Sequence, residues 1–202
     1  DIWRIFISGS SSAGKTYFAK QLLQAKLFKY DRIYYFHPDI QEDFPVDWSD
    51  LNVICQAGLP TQDDVLEMPS YSVIVLDDLY TEVCREKLMS YLFRVLSSKR
   101  KLHIIIMTQR YFSNGIYTLN IRNSCNIHVL MRNADELSNM RVARTMNLKD
   151  EIKTAIDQTQ SDLFPYIFIN RTNQARVNGT QVYIDIFSKY RKVIMKTGLW
   201  YL

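Results

Sequence analysis

Residues Gly9 to Thr16 read GSSSAGKT, two glycines and a run of small residues ending in a lysine and a threonine. The pattern G-x-x-x-x-G-K-[ST] is met without a mismatch. It falls between a predicted strand, Ile2–Ser8, and a predicted helix, Lys15–Phe28, with Phe18, Leu22, Leu23 and Leu27 on one side. Such a loop constrains the fold, because it needs a strand running into it and a helix starting from it. Gly9 and Gly14 can take backbone angles closed to other residues, so the amides of Ser10, Ser11, Ser12, Ala13 and the residues that follow can curl around one anionic group. The helix adds its positive N-terminal end. Lys15 is expected to reach the β- and γ-phosphates of a nucleotide, and the Thr16 hydroxyl to ligate Mg²⁺. The alternative is a chance Gly/Ser loop, which the strand–loop–helix setting disfavours.

Ser72–Leu76 (SVIVL) is a near-continuous apolar run, as in a strand buried on both faces, and it ends in Asp77-Asp78. One carboxylate at such a strand end holds Mg²⁺, and an adjacent one can accept a proton from the attacking water. Asp77 is assigned to the metal and Asp78 to the water; the alternative for Asp78 is a cap on the following segment. Kinases and GTPases of this kind do not need the second acid, whereas ATP-hydrolysing motors do, so ATP is the expected substrate. A third apolar strand, His103–Thr108, ends in Gln109. Lying beside the Asp77 strand, it would bring Thr108 and Gln109 to the phosphate edge, where a neutral amide can orient the lytic water. The plainer reading of Gln109 is a polar residue ending a strand.

Short β-rich runs alternate with helical stretches along the whole chain. Further strands are predicted at Arg32–Phe36, Asn52–Gln56 and Asn126–Met131, and further helices at Glu82–Ser97 and Asp135–Met146. The tail, with PYIFIN and QVYIDIF joined by a polar stretch, reads as a hairpin or a pair of edge strands. Alternation of this kind implies an α/β fold, a mostly parallel sheet with helices on both faces. No repeat, low-complexity tract or linker interrupts it, so residues 1–202 are expected to form a single domain.

The three strand-end elements, in this order and spacing, resemble the FtsK–HerA superfamily of DNA-pumping ATPases, and in particular the packaging ATPases of double-stranded DNA viruses and Polinton-type elements. RIYYFHP and VLDDLY resemble the viral branch. The stretch from Lys99 to Met146, a basic turn, an apolar strand ending in Thr-Gln, a loop, a helix and a second strand, resembles the superfamily's core segment. The resemblance spans roughly Ile2 to Met146. It implies a RecA-like (ASCE) P-loop NTPase domain working as a hexameric or pentameric ring around double-stranded DNA. It also implies an arginine donated in trans to the γ-phosphate, with Arg100 the first candidate and Arg122 and Arg94 behind it. A capsid or portal-vertex protein is a further implied partner. Two features depart from the superfamily. Asp78 stands where Glu is common, and the chain has no room for an added DNA-guiding domain, so Tyr111–Thr118 (YFSNGIYT) is left as the DNA-contacting loop. A helicase-like nucleic-acid-dependent ATPase and a nucleotide-gated assembly module are the alternatives.

Charge is unevenly spread. Residues 31–90 hold 13 acidic against three basic residues, whereas residues 91–144 hold nine basic against two acidic. This asymmetry suits a nucleic-acid face, or one copy's acidic part meeting another's basic part, as well as an ordinary solvated surface. Cys55, Cys84 and Cys125 are odd in number and far apart, which fits a reducing compartment such as cytosol or nucleus. The resemblance implies that this is the nucleus or cytoplasm of a host cell, or an association with the virion. No signal peptide or membrane-length apolar run is visible, so no membrane partner is expected, and the start at Asp1 fits an excised or processed segment. His37, His103 and His128 lie on or beside apolar strands and read as packed residues.

Overall fold

Apolar side chains with period two give the central strands two buried faces. The computed structural model describes residues 1–38, 48, 50–131, 136–159, 165–172, 180–187 and 192–197, at 136, 137 and 192–197 the backbone alone. In chain order, the first elements are β1 (Arg4–Ser8), α1 (Lys15–Gln24), β2 (Ile33–His37), β3 (Val53–Ala57), α2 (Gln62–Glu67) and β4 (Val73–Asp77). There follow α3 (Tyr80–Val83), α4 (Lys87–Tyr91), a π-helical stretch (Leu92–Leu96), α5 (Ser97–Arg100) and β5 (His103–Thr108). Next come α6 (Thr118–Ser124), β6 (Ile127–Met131), α7 (Glu136–Met146) and α8 (Lys149–Gln158). The tail holds β7 (Tyr166–Asn170), β8 (Thr180–Asp185) and β9 (Lys192–Thr197).

All these strands join one sheet in the order β3-β2-β4-β5-β1-β6-β7-β8-β9. The pairs from β3 through β6 are parallel, and those from β6 through β9 antiparallel. β5 lies between β1 and β4, with Ile106 opposite Phe6 on one side and Leu76 on the other. This is the RecA-like (ASCE) order, and it brings the C-terminal ends of β1, β4 and β5 side by side. β7 and β8 make the predicted hairpin, and β9 extends it as a strand that the residue pattern did not suggest.

Alternate residues of each strand feed two cores. Ile5, Ile7, Val73, Val75, Ile105 and Met107 meet Phe18, Leu22 and Leu23 of α1 on one face. Phe6, Ile74, Leu76, Ile104 and Ile106 meet residues of α2, α3, α4, α6, α7 and α8 on the other. Each fully buried aliphatic or aromatic side chain contributes roughly 1.5–3 kcal/mol, so these two layers hold the sheet edge in a fixed shape.

Several predicted bounds shift. α1 stops at Gln24, because Lys26 turns left-handed (φ 47°) and its amide bonds back to Leu23. Phe28 then leaves the helix to stack on His103 at 4.4 Å. The helix predicted over Glu82–Ser97 is broken before Lys87, where Glu86 is extended and the Tyr117 amide takes the Cys84 carbonyl at 2.9 Å. α2 and α8 were not anticipated. A capping box, Thr61 with Asp64, starts α2 and was a legible signal for it. Asp135 of the predicted Asp135–Met146 helix lies outside the described residues; the helix runs from Glu136.

Candidate active site

β1 delivers the chain into the GSSSAGKT loop, and β5 anchors it: the Gly9 amide donates to the Thr108 carbonyl at 3.1 Å. The two glycines have different reasons. Gly14 is left-handed (φ 89°) at the N-cap of α1, where its carbonyl accepts from the Phe18 amide at 2.8 Å. Gly9 has no positive φ. A Cβ there would lie 2.5 Å from the Met131 Cβ at the end of β6, so close approach excludes a side chain. The positive backbone angle expected of Gly9 is taken by Ser12 instead (φ 60°).

Lys15 turns its ammonium back into the loop, donating to the carbonyls of Gly9 (3.0 Å) and Ser10 (2.9 Å). Burial pulls its pKa below the ordinary lysine value, while the fields of Asp78 and Asp77 pull the other way. Those opposing effects place both carboxylates within electrostatic reach of Lys15. Thr16 follows in the first turn of α1.

Asp77 closes β4 and is half-buried. Burial raises its pKa above the usual carboxylate range, and Asp78 adds to the rise. A hydrogen bond from Tyr35, with the Lys15 and His37 charges, works against it. Tyr35 is a fully buried residue of β2 that donates its hydroxyl to Asp77 Oδ2 and packs edge-on against Trp48 at 5.1 Å. Sequence reasoning missed this residue as part of the site. The signal was the YY of RIYYF, which reads as core until β2 is known to pair with β4.

Asp78 sits one residue past the strand in a left-handed conformation (φ 54°), its amide bonded to the Met107 carbonyl at 3.2 Å. Aspartate tolerates that region better than longer side chains do, because its short polar group can bond locally. This is a physical reason for Asp where Glu is common. Gln109 donates Nε2 to Asp78 Oδ2 at 3.2 Å, so the amide and the carboxylate predicted to act together do meet. Thr108 spends its hydroxyl on a local turn with Arg110.

The donor set fits Mg²⁺. Among the described residues no group of three or more His, Cys, Asp or Glu side chains gathers as a ready-made cage. Mg²⁺ takes one or two carboxylates together with substrate phosphates and waters, and Asp77 with Thr16 supplies a set of that kind.

Arg100 stands apart from this edge. It lies just before β5, at the opposite end of the sheet, where Nη2 donates to the carbonyls of Leu66 (2.5 Å) and Met68 (3.0 Å) at the C-terminal end of α2. In the 111–118 loop, Tyr111 is buried and Ile116 is 84% exposed. Gly115 is held tight, since a Cβ there would come within 2.3 Å of the Cys84 Cβ. The glycine therefore serves close approach. The three cysteines are free thiols, and the three histidines gather in no metal group among the described residues. No helix of the described residues is long and apolar enough to cross a membrane.

No family model and no curated protein matches this chain. Among solved structures, the genome packaging NTPase B204 from Sulfolobus turreted icosahedral virus 2, in complex with ATP-gammaS, is similar at a TM-score of 0.59 and 12% identity, over 89% of this chain and 95% of that one. The same protein in complex with AMPPCP matches at 0.59 and 12%, over 93% and 99%. B204, the DNA-packaging ATPase from Sulfolobus Turreted Icosahedral Virus, matches at 0.59 and 12%, over 88% and 95%. With its inserted β5, its GSSSAGKT loop and its antiparallel tail, this α/β chain has the P-loop NTPase fold that those packaging proteins share.

Proposed function

We propose that this chain is the subunit of an ATP-hydrolysing motor that translocates double-stranded DNA and packages a viral genome into its capsid. The observation that carries the reading is the meeting of Gln109 with Asp78 at 3.2 Å, beside Asp77 and within the field that acts on Lys15. A water held between Gln109 and Asp78 would give its proton to the Asp78 carboxylate as its oxygen bonds to the γ-phosphorus and the bond to the β-phosphate oxygen breaks. Lys15 and the amides from Gly9 to Thr16 bind the phosphates. Mg²⁺, held by Thr16 and Asp77, would neutralise charge on the β- and γ-oxygens.

The overlap with packaging NTPases across nearly the whole of both chains supports the packaging reading. On it, the partners are duplex DNA, further copies in a hexameric or pentameric ring, and a capsid or portal-vertex protein. The workplace is the host nucleus or cytoplasm, or the virion itself. Arg100 is the first candidate for the arginine acting in trans, with Arg122 and Arg94 behind it. Full turnover by Arg100→Ala in the assembled ring would leave Arg100 only its bonds to the C-terminal end of α2.

The test is the ATPase rate with duplex DNA, with single strands and with neither. Stimulation by duplex that weakens steeply with salt supports translocation along a phosphate backbone. Equal stimulation by single strands would replace this reading with a helicase-like one, and tight ATP binding without turnover would replace it with a nucleotide-gated module.

A further inference from the structure

Beyond Asp78 and Gln109 the site opens into a cleft of about 920 Å³. Four arginines line it: Arg85, Arg110, Arg122 and Arg141. Asp78, already bonded to Gln109, is its one lining carboxylate among the described residues. Two of the arginines are held in place. The Arg141 guanidinium lies 4.3 Å from the centroid of the Phe112 ring, and that of Arg122 lies 4.9 Å from the same ring and 5.2 Å from the ring of Tyr111. Neither has a carboxylate partner among the described residues.

The platform under them is rigid. Tyr111 is buried, its carbonyl accepts from the Tyr80 hydroxyl, its own hydroxyl is bonded to His128, and its ring meets Phe112 at 5.1 Å. Gly115 fixes the far side of the loop against Cys84.

Two guanidiniums on one ring repel each other, and stacking offsets that only in part. What such a pair gains from its placement is geometry. A guanidinium lying flat on an aromatic ring keeps its N–H edge free, and that edge matches the oxygens of a phosphate in a bidentate fork. A planar carboxylate meets one fork well, whereas a tetrahedral phosphate has oxygens enough for two.

We propose that Arg122 and Arg141, clamped on Phe112, form a phosphate-binding subsite separate from the GSSSAGKT loop and continuous with the hydrolytic end of the cleft. The phosphate group is either the inorganic phosphate leaving Asp78 and Gln109 or one group of a nucleic-acid backbone lying in the cleft. The proposal rests on the motor reading for these two sources, while the clamp itself stands on its own geometry.

The experiment uses the full chain carrying Lys15→Ala, which disables the loop's own phosphate site. Inorganic phosphate is titrated by calorimetry, and a short labelled duplex by fluorescence anisotropy. Binding of at least one probe is expected to persist, and to weaken about tenfold or more in Arg122→Gln and in Arg141→Gln. Phe112→Leu, which keeps both charges and removes the platform, is expected to weaken it by a smaller factor of about three. Arg122→Lys, which keeps the charge but not the fork, should behave like Arg122→Gln. If the source is nucleic acid, each lost arginine also lowers the slope of log affinity against log salt by about one. If it is free phosphate, only the calorimetric signal responds.

The proposal is overturned if neither probe binds the Lys15→Ala protein, or if the arginine variants, shown folded by circular dichroism, bind as well as their parent. A wild type that binds phosphate at the clamp but hydrolyses no ATP would defeat the motor reading and leave the subsite standing. Brisk hydrolysis with an indifferent clamp would do the reverse.

Discussion

Tyr35, at the centre of β2, donates its hydroxyl to Oδ2 of Asp77, the last residue of β4. The register explains the reach: Tyr35 stands opposite Val75, and Asp77 is two residues on, so both side chains project from the same face. The bond orients the carboxylate proposed to hold the metal and opposes the rise in its pKa. Tyr35→Phe is therefore expected to lower Mg²⁺-dependent turnover by about 10–100-fold, as loss of an outer partner of a metal ligand does. Because the carboxylate must be ionised to hold the metal, the acid limb of Mg²⁺ affinity should move to higher pH. A Mg²⁺ titration at several pH values checks both, and an unchanged limb would count against the pairing.

Asp77 also sets a pH dependence of stability. Its folded-state pKa is raised, chiefly by burial, so folding favours the protonated form. Its contribution is fully present below the unfolded carboxylate value of about 4 and is lost as pH rises through the folded value. Asp77→Asn should accordingly melt higher than the wild type at pH 8, with the gap closing as the pH falls toward 4. Melting curves across that range check this; a lower melting temperature at pH 8 would contradict it.

Asp78 carries a left-handed backbone (φ 54°), which costs a residue with an ordinary Cβ roughly 1–2 kcal/mol. Asp78→Ala should therefore be less stable than Asp78→Gly by about 1 kcal/mol, a difference of about 2–4 °C in melting temperature for a chain of this size. Asp78→Glu restores the acid common in the superfamily that the sequence resembles. It should nonetheless lose stability and gain no turnover, because the longer side chain tolerates the left-handed backbone less well and would shift the carboxylate that meets Gln109.

Gly9→Ala should destabilise the fold by about 1–3 kcal/mol, since the new Cβ would sit 2.5 Å from Met131 Cβ. A double-mutant cycle isolates the cause. Met131→Gly removes the opposing atom, so Gly9→Ala should cost less in that background by about 1 kcal/mol or more. Equal costs in both backgrounds would mean that the loop resists a side chain for another reason.

How much of this was legible follows the range of the interactions. GSSSAGKT, Asp77-Asp78 and Thr108-Gln109 each lie within one strand end, so residue type and local pattern exposed them. The parallel sheet followed from alternation, and the meeting of Gln109 with Asp78 from assuming that β5 and β4 are neighbours. Tyr35 was hidden because a strand tyrosine looks like core until a partner strand puts a carboxylate beside it. The true role of Gly9 depends on Met131, 122 positions away, and no local rule reports that contact. Arg122 and Arg141 belong to different helices, and only their common approach to Phe112 makes them a pair. The break before Lys87 depends on a carbonyl taken by Tyr117, which local helical composition could not reveal.

The central claim is that this edge of the sheet hydrolyses ATP with Lys15 binding the phosphates and Asp78 taking the proton. The most direct measurement is phosphate release from ATP with Mg²⁺ by the wild type, Lys15→Ala and Asp78→Asn, alongside nucleotide binding by each. The account predicts steady release by the wild type and a fall of about 10²-fold or more in both variants, with binding lost in Lys15→Ala and kept in Asp78→Asn. Wild-type protein that binds ATP without releasing phosphate, or an Asp78→Asn variant that turns over at the wild-type rate, would contradict it.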